Sequence, residues 1–331
     1  MKLLVTGGAG FIGSNFIRLI LSKHEDYEIT NLDKLTYAGN LANLKDAENK
    51  KNYSFVKGDI CNQKLVDRLA KDSDIIVHFA AETHVDRSIM EAGSFVKTDV
   101  MGTFVLLNAA KKFKIKKFVH ISTDEIYGSI DSGSFDENSP LNPSSPYSAS
   151  KAGADRLAYS YFKTFNVPVV IARSSNNFGP FQHPEKFMPL MITNAMENKK
   201  LPLYGDGLNK RDWLYVLDNC EAICFLMEKG AAGEAYNIGS GNERANLKAA
   251  KLILKELKKP DSLLEFVKDR PGHDRRYALN FNKLKSLGWN PKNGFEDALK
   301  KTIEWYASNR WWWEKIKAGS FKNYHKKQYG A

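Results

Sequence analysis

The first 180 residues alternate short β-branched runs with amphipathic stretches, and this alternation leaves few folds open to the chain. The runs that predict strands are KLLVTG, EITNLD, YSFVKGD, DIIVHFA, KKFVHIST and VPVVIARS. Between them, segments such as GSNFIRLILSKH, NQKLVDRLAKD and DVMGTFVLLNAAKKF predict helices. Near-continuous apolar strands separated by helices indicate a parallel sheet that is covered on both faces. Right-handed crossovers then make a doubly wound, Rossmann-type α/β sheet the expected topology.

The pattern changes after about residue 180, where Pro, Gly and aromatic residues become more frequent, as in FGPFQHPEKFMPLM. A chain of 331 residues is long enough for about two domains. We therefore predict a sheet domain from residues 1–179 plus about 212–238. A smaller mixed α/β domain is predicted from about 180–211 plus 239–331. The tail from Trp311 onward is basic and aromatic, and its pattern alone predicts no structure.

Charge and cysteine content bound the possible partners and the compartment. The net charge of +11 raises the question of a nucleic-acid partner. The lysines are spread along predicted helices without an aromatic RNA-binding motif, so a solvated surface is the preferred interpretation. No apolar run approaches the roughly 20 residues that cross a bilayer, and glycines interrupt MKLLVTGGAG too early for a signal peptide. Three cysteines without a CxxC pair, two of them at helical spacing (Cys220 and Cys224), indicate packed, reduced thiols, no metal site and a cytoplasmic location.

A glycine-rich loop follows the first predicted strand and opens the first predicted helix. Its glycines fit the overlapping patterns G-x-G-x-x-G and G-x-x-G-x-x-G: Gly7, Gly8, Gly10 and Gly13. Asp33 ends the next strand, 20 residues beyond the last of these glycines. This arrangement predicts a dinucleotide whose pyrophosphate lies at the helix N-terminus and whose ribose hydroxyl contacts Asp33. Asp33 would repel a 2′-phosphate, which favours NAD over NADP, although the neighbouring Lys34 weakens that preference. Asp59 closes the third strand and could reach the adenine or be a turn residue.

Tyr147 and Lys151 lie four residues apart in SPYSASKAGADRL and so share one face of a predicted helix. A free tyrosine titrates at about pH 10. A neighbouring ammonium and an oxidised nicotinamide would both favour the phenolate, which makes Tyr147 a candidate base. The hydroxyl of Thr123 could bind the same substrate oxygen. Ser148 and Lys151 also match S-x-x-K, but no KTG or SDN partner is present, so we interpret that match as accidental.

The chain resembles the dTDP-glucose 4,6-dehydratases of the extended short-chain dehydrogenase/reductase family. The segments that carry the resemblance are TGGAGFIGS, DKLTYAGN, FAAETHVDRSI, STDEIYG, SPYSASKA, NNFGPFQHPEKFMPLMI, YGDGLNKRDWLYV and RPGHDRRYALN. The cofactor motifs indicate only the superfamily, whereas STDE with RPGHDRR is more specific, because related epimerases lack the acid pair. The resemblance implies an NAD-dependent hydro-lyase that converts dTDP-glucose to dTDP-4-keto-6-deoxyglucose and water, in deoxysugar (rhamnose-type) biosynthesis.

The implied reaction explains why Asp124 and Glu125 stand side by side after a predicted strand. Tyr147 would take the proton of the sugar 4-hydroxyl while hydride passes to NAD, and the resulting ketone acidifies the hydrogen on carbon 5. One carboxylate then removes that hydrogen, and one carboxylic acid protonates the departing 6-hydroxyl, before hydride returns to carbon 6. The resemblance assigns Glu125 as the base and Asp124 as the acid. Because consecutive strand residues point to opposite faces, the strand must end or bend at Asp124.

The resemblance also implies which residues hold the two ligands. Those expected to contact NAD are Gly7, Gly10, Phe11, Ile12, Gly13, Asp33, Lys34, Leu35, Thr36, Asp59, Ile60, Ala80, Ala81, Glu82, Thr98, Tyr147, Lys151 and Asn177. Those expected to contact the nucleotide sugar are Thr83, Thr123, Asn176, Lys186, Phe187, Pro202, Leu203, Tyr204, Arg211, Asn246, Arg270, His273 and Asp274. Arg211 and Arg270 would suit a pyrophosphate as bidentate forks, or be surface charges, and Tyr204 or Phe187 could contact the base.

Two kinds of alternative function remain open at this point. The first is another enzyme on the same scaffold, either a nucleotide-sugar 4-epimerase, which needs Tyr147 but has no use for the acid pair, or a dehydratase of CDP- or UDP-sugars. The second is a non-catalytic NAD-binding regulator or a basic nucleic-acid-binding protein. Related enzymes pair through helices like DVMGTFVLLNAAKKF and the Tyr147 helix, so a homodimer is expected. His78 and His120, inside predicted strands, are expected to be packed and bonded to backbone.

Overall fold

The computed structural model describes residues 1–319, and within them no helix is both long and apolar enough to cross a membrane. The strands are β1 (Lys2–Thr6), β2 (Glu28–Asp33), β3 (Tyr53–Lys57), β4 (Ile75–His78), β5 (Lys117–Thr123), β6 (Val169–Ser174), β7 (Asn176–Phe178), β8 (Leu201–Tyr204), β9 (Lys210–Tyr215), β10 (Ala235–Ile238), β11 (Glu243–Ala245) and β12 (Leu264–Val267).

The α-helices are α1 (Phe11–Lys23), α2 (Gln63–Lys71), α3 (Val85–Met90), α4 (Gly93–Phe95), α5 (Thr103–Phe113), α6 (Pro146–Phe165), α7 (Phe187–Met196), α8 (Val216–Lys229), α9 (Asn246–Glu256), α10 (Asn282–Ser286), α11 (Phe295–Ser308) and α12 (Arg310–Ala318). Short 3₁₀ helices span Leu41–Leu44, Asp124–Tyr127 and Asp261–Leu263. A π-helix, Val96–Gly102, joins α4 to α5. The segment predicted as one amphipathic helix therefore begins in π-helical geometry and becomes α-helical only at Thr103.

Seven parallel strands form the main sheet, in the order β10-β6-β5-β4-β1-β2-β3. All six predicted strands are present, which confirms the doubly wound, Rossmann-type prediction. The seventh strand, β10, comes from much later in the chain. Because the connections reverse direction between β1 and β4, the carboxyl ends of these two strands flank the crevice in which such sheets bind ligands.

Each face of the sheet is covered by helices, and β1 shows how its sequence allows this. Leu3 and Val5 pack into the core formed with α1 and α8, whereas Leu4 packs into the core formed with α2, α5 and α6. Successive side chains of a strand point to opposite faces, so burial on both faces requires an uninterrupted apolar run. The uninterrupted apolar run LLV therefore indicates that helices cover both faces of the sheet.

A second group of elements has a core of its own. The parallel pair β8–β12 and the three-stranded sheet β11-β9-β7 pack with α7, α9, α11 and α12 around residues such as Met191, Ile253 and Trp313. This agrees with a mixed α/β character for the later part of the chain. Strand β9 crosses the predicted boundary at 211/212 and pairs with β7 and β11, so the assignment of residues to two domains stays a prediction.

The tail, for which the sequence pattern predicted no structure, begins as a helix. In α12 the side chains of Trp312 and Trp313 are buried, and Trp313 Nε1 donates to the carbonyl of Tyr306 at 2.8 Å. The apolar periodicity is short, and two adjacent tryptophans do not produce a recognisable helical stripe. Residues 320–331 lie outside the described part of the chain.

Candidate active site

A cavity of about 630 Å³ opens at the carboxyl edge of the main sheet, a volume typical of small-ligand sites. Its walls come from the segments that follow β1 to β6, together with α6 and α12. The predicted site residues that line it are Gly7, Gly10, Phe11, Ile12, Gly13, Asp33, Lys34, Thr36, Asp59, Ile60, Ala80, Ala81, Glu82, Thr83, Thr98, Thr123, Asp124, Glu125, Tyr147, Lys151, Asn176, Asn177 and Lys186. The fold thus brings the catalytic residues and nearly all of the predicted NAD set to one cavity, together with four of the predicted sugar-binding residues.

The glycine loop at the end of β1 has no room for side chains at two positions. Gly7 has φ +72°, and a Cβ there would lie 2.5 Å from the backbone nitrogen of Ala80. A Cβ on Gly13 would lie 2.4 Å from the carbonyl oxygen of Gly7. No side chain caps the N-terminus of α1, so its first N–H groups remain available to an anion at the cavity wall. These features fit the pyrophosphate of a dinucleotide.

Asp33 and Lys34 have different partners, which bears on the choice between NAD and NADP. The Asp33 carboxylate accepts backbone N–H groups from Ala9 at 2.9 Å and Leu35 at 2.8 Å, and burial raises its pKa. The ammonium of Lys34 pairs with Asp59 at 2.8 Å. Lys34 is therefore held by a carboxylate of its own, and its charge does not offset the repulsion between Asp33 and a 2′-phosphate.

The acid pair lies where β5 ends. The strand stops at Thr123, whose hydroxyl accepts the N–H of Glu125 at 3.3 Å and caps the 3₁₀ helix Asp124–Tyr127. The assignment of both acids to one substrate required such a break, because in a continuing strand they would point to opposite faces. Asp124 and Glu125 accordingly both line the cavity.

The two carboxyl groups are in different electrostatic environments. Asp124 is only 2% exposed, and its Oδ2 has no hydrogen-bond partner among residues 1–319. Burial and the charge of Glu125 raise the pKa of Asp124 well above its usual range. Burial also raises the pKa of Glu125, but the positive charges of Arg270, Arg211 and Lys186 oppose that shift. These environments therefore favour the protonated form of Asp124 and the ionised form of Glu125.

Tyr147 and Lys151 both reach the cavity from α6, which starts with Pro146 and a Ser145–Ser148 capping box. This cap gives Ser148 a structural role, in keeping with an accidental S-x-x-K match. The Lys151 ammonium donates to the carbonyl of Ile121 at 2.6 Å, so the protein backbone holds it.

The protein's own residues do not favour ionisation of Tyr147, contrary to the expectation that the Lys151 ammonium would do so. Burial and the charges of Glu125 and Asp99 raise the pKa of Tyr147 well above 10, although a hydrogen bond with Thr123 acts in the opposite direction. These carboxylates come from the 3₁₀ helix after β5 and from the π-helix, which the local sequence around Tyr147 does not reveal.

The remaining predicted sugar-binding residues do not line the cavity, although the charges of Arg270, Arg211 and Asp274 act on Glu125. Asp86 holds two of them, since it accepts from Arg270 at 3.0 Å and from the Tyr204 hydroxyl at 3.2 Å. The Arg211 guanidinium donates to the carbonyl of Asp274 at 2.9 Å. The predicted sugar-binding residues outside the cavity wall are Phe187, Pro202, Leu203, Tyr204, Arg211, Asn246, Arg270, His273 and Asp274, and Leu35 of the predicted NAD set lies outside it as well. Leu203 is 1% exposed in the second core, and Phe187 stacks on Trp213, so packing accounts for both side chains.

The prediction for the two strand histidines was right about burial and wrong about their partners. His78 bonds to hydroxyl groups, with Nδ1 2.7 Å from Thr6 Oγ1 and Nε2 2.9 Å from Thr103 Oγ1. Neither ring nitrogen of His120 has a hydrogen-bond partner among the described residues. Backbone groups of a central parallel strand are already used in the sheet ladder, which leaves side chains as the partners.

Several cavity residues were not predicted from the sequence. The Arg87 guanidinium lies 3.8 Å from the centroid of the Tyr37 ring and pairs with the buried Glu185 at 2.9 Å. Tyr37 and Glu185 line the cavity, as do Gln182, His183 and, from α12, Trp311, Trp312, Lys315 and Ile316. Arg87 and Glu185 lie inside HVDRSI and FQHPEKF, two segments that carry the family resemblance. That position could have identified them as candidate site residues.

One group of potential metal ligands lies away from the cavity. His24, Cys224 and Glu228 bring one ligand-type atom each to within 4.8 Å of one another, where the end of α1 meets α8. Cys220 and Cys224 otherwise pack in the core of the main sheet, as predicted. The expectation that the protein binds no metal stays a prediction.

Comparison with known proteins gives one family and several relatives. The family model described as GDP-mannose 4,6 dehydratase matches residues 4–302. The chain is 51% identical to a dTDP-glucose 4,6-dehydratase of Streptomyces niveus, over 96% of each chain. It is similar to the crystal structure of dTDP-glucose 4,6-dehydratase from Bacillus anthracis in complex with NAD, with TM-score 0.91, 50% identity, and coverage of 96% of this chain and 100% of that one.

The same fold also supports a different reaction. A UDP-glucuronic acid 4-epimerase of Bacillus cereus, solved with UDP-glucuronic acid and NAD, aligns with TM-score 0.88 at 30% identity, covering 93% of this chain and 99% of that one. The backbone therefore does not separate dehydration from epimerisation. The side chains at the end of β5 have to do so.

Proposed function

This chain belongs to the GDP-mannose 4,6 dehydratase family, and on that premise we propose that it is a dTDP-glucose 4,6-dehydratase. It converts dTDP-glucose to dTDP-4-keto-6-deoxyglucose and water, as an NAD-dependent hydro-lyase of deoxysugar biosynthesis. One observation carries the proposal: two adjacent carboxyl groups in different environments face the cavity that also contains the glycine loop and Tyr147. Relatives with this activity at about half identity over nearly the whole chain support the choice of substrate.

Elimination of water requires a base at carbon 5 and an acid at the 6-hydroxyl. Glu125, whose charged form is favoured by Arg270, Arg211 and Lys186, removes the proton from carbon 5. Asp124, buried and biased towards its protonated form, donates a proton to the departing 6-hydroxyl. A carboxyl pair with separated pKa values can act as base and acid at the same pH. Glu125 then returns its proton to carbon 5.

Tyr147 takes the proton from the 4-hydroxyl, and Thr123 binds the same oxygen. NAD, when bound, supplies the hydride acceptor for carbon 4, the hydride donor for carbon 6 and a positive charge on its oxidised nicotinamide. Because burial and nearby carboxylates raise the pKa of Tyr147, the protein alone keeps the phenol protonated at neutral pH. Lys151, fixed on the carbonyl of Ile121, orients the site and adds a positive charge at the cavity wall.

A panel of nucleotide sugars tests this function directly. We expect dTDP-glucose to give a keto sugar that has lost one water, detected by NMR and mass spectrometry, with UDP-glucose and CDP-glucose turned over more slowly. A product of unchanged mass with inverted configuration at carbon 4 would instead identify an epimerase. Absence of any turnover, with NAD bound, would favour the non-catalytic regulator.

Residues 1–179 plus about 212–238 are proposed as the NAD-binding domain, and about 180–211 plus 239–331 as the nucleotide-sugar domain. Arg211 and Arg270 support this, because they come from the later elements and their charges act on Glu125. A cytoplasmic location is proposed as well. The three free cysteines, Cys61, Cys220 and Cys224, support it.

A homodimer is proposed through the helical surface that contains the π-helix. Val96, Met101 and Phe104 are apolar and 37–56% exposed there. Val100, within the same π-helix, packs 3.4 Å from the position of a Cβ on Gly153 of α6, so this surface and α6 form one continuous face. A second copy of the chain would cover both.

Met101→Glu tests the dimer. We expect it to raise the dimer dissociation constant at least about tenfold, since it removes apolar contact and places a charge on the proposed interface of each copy. Sedimentation velocity measures the change. Leu287→Glu is the matched control, because Leu287 is 44% exposed on a different surface. A wild-type protein that sediments as a monomer, or an equal effect of both variants, would contradict the proposed interface.

A further inference from the structure

Helix α12 brings a lysine to the cofactor side of the cavity. Lys315 and Trp311 are four residues apart, so they share one face of the helix, and both line the cavity. This helix lies in the tail that gave no structural signal in the sequence. The contacts that α12 makes with the rest of the protein therefore have to explain why it lies at the cavity.

Those contacts connect α12 directly to the glycine loop. Trp312 Nε1 donates to Asn43 Oδ1 at 2.8 Å, and Asn43 Nδ2 donates to the carbonyl of Ala9, inside the loop, at 2.9 Å. Asn43 and Trp312 are 1% and 2% exposed, so these bonds are buried. The helix is thus attached to the segment that would hold the pyrophosphate, and its exposed face borders the same opening.

Lys315 differs from the other lysines at the cavity in its hydrogen-bond and ion-pair partners. Lys34 pairs with Asp59, Lys151 donates to the carbonyl of Ile121, and Lys186 donates to the carbonyl of Thr83. Lys315 is exposed and forms no hydrogen bond or ion pair with any residue in the range 1–319. The glycine loop itself contains no basic side chain. A diphosphate in this part of the cavity would meet backbone N–H groups and one cation that no described residue already holds.

We propose that Lys315 binds the diphosphate of the dinucleotide at the mouth of the cavity, with Trp311 forming the adjacent apolar wall. The inference rests on the proposed NAD-dependent function. Electrostatic contact with a phosphate slows release of the ligand, which suits an enzyme that regenerates its cofactor in every turnover and gains nothing from releasing it. Lys315 is a binding residue in this proposal and takes no part in the proton transfers.

The test is the rate at which bound NAD exchanges for isotope-labelled NAD in the purified holoenzyme, followed by mass spectrometry. Lys315→Gln is expected to raise that rate about fivefold to tenfold, the effect of losing one partly shielded charge contact, and Lys315→Glu to raise it further. Increasing salt should speed exchange in the wild type and much less in Lys315→Gln, because only the former has the contact to screen. Lys300→Gln, an exposed lysine outside the cavity, is the matched control.

The outcomes separate the inference from the proposed function. Exchange in Lys315→Gln at the wild-type rate and with the wild-type salt dependence would overturn the role of Lys315 while leaving the dehydratase proposal intact. An equal acceleration in Lys300→Gln would overturn it too, since net charge would then be the cause. A wild-type protein that retains no NAD would reject the proposed function, and the inference with it.

Discussion

Glu125→Gln is expected to lower the rate of water loss from dTDP-glucose by about 10²- to 10⁴-fold, the usual contribution of a positioned general base. Oxidation at carbon 4 needs only Tyr147 and the cofactor, so reduced nicotinamide should still accumulate and be visible by its absorbance. The amide cannot accept the carbon-5 proton, so solvent deuterium should barely enter that position. The substitution removes no packing volume, and Arg270, Arg211 and Lys186 remain in place around it.

Asp124→Asn is the matched variant. It should also lose water slowly, because no proton reaches the 6-hydroxyl, yet it should exchange the carbon-5 hydrogen with solvent at a substantial rate. Only a base at position 125 and an acid at position 124 give these two different results. If the asparagine variant lost exchange and the glutamine variant kept it, the roles would be reversed. Exchange at the wild-type rate in both would place the base elsewhere.

Tyr147→Phe is expected to stop the reaction one step earlier. Without the phenol oxygen nothing takes the 4-hydroxyl proton, so single-turnover reduction of the nicotinamide should fall by about 10²- to 10⁴-fold, and carbon-5 exchange should fall with it. In the wild type, the same single-turnover rate should rise with pH, because the phenolate is the active form and burial with Glu125 and Asp99 raises its pKa. That rise should be absent in the phenylalanine variant.

Tyr159→Phe provides the control on the same helix. Tyr159 is half-buried, lies outside the cavity and has lysine and arginine neighbours against its ring, so loss of its hydroxyl should leave nicotinamide reduction unchanged. Rapid reduction in Tyr147→Phe would mean that another group takes the 4-hydroxyl proton. Thr123, which also faces the cavity, would then be the first residue to substitute.

The acid pair shows how far local sequence reasoning reached. KKFVHIST ends its apolar run at Thr123, so the sequence placed both acids at the carboxyl end of a strand, where ligands bind in such sheets. It also showed that both could act on one substrate only if the strand stopped there. Thr123 makes that stop by capping the 3₁₀ helix, a hydroxyl role that could have been inferred but was not.

Tyr147 shows where such reasoning failed. Its spacing from Lys151 suggested that the lysine would favour the phenolate. In the structure Lys151 donates to a backbone carbonyl, and the charges of Glu125 and Asp99 raise the pKa of Tyr147. These residues are 22 and 48 positions away in the sequence. The ion pair of Lys34 with Asp59 also depends on tertiary structure, because it forms where the neighbouring strands β2 and β3 end. This pair bears on how Lys34 affects the choice between NAD and NADP.

The sequence by itself determined the sheet, the dinucleotide loop and the chemical groups at each strand end. Hydrophobic periodicity and glycine spacing are local properties, and parallel strands bring their carboxyl ends to one edge whatever else the chain does. Only the tertiary structure decided which carboxyl group is biased towards protonation, which lysines are already bound, and that the tail borders the cavity. Those outcomes depend on burial and on charges from distant segments, which act over a few ångströms in space and leave no pattern along the chain.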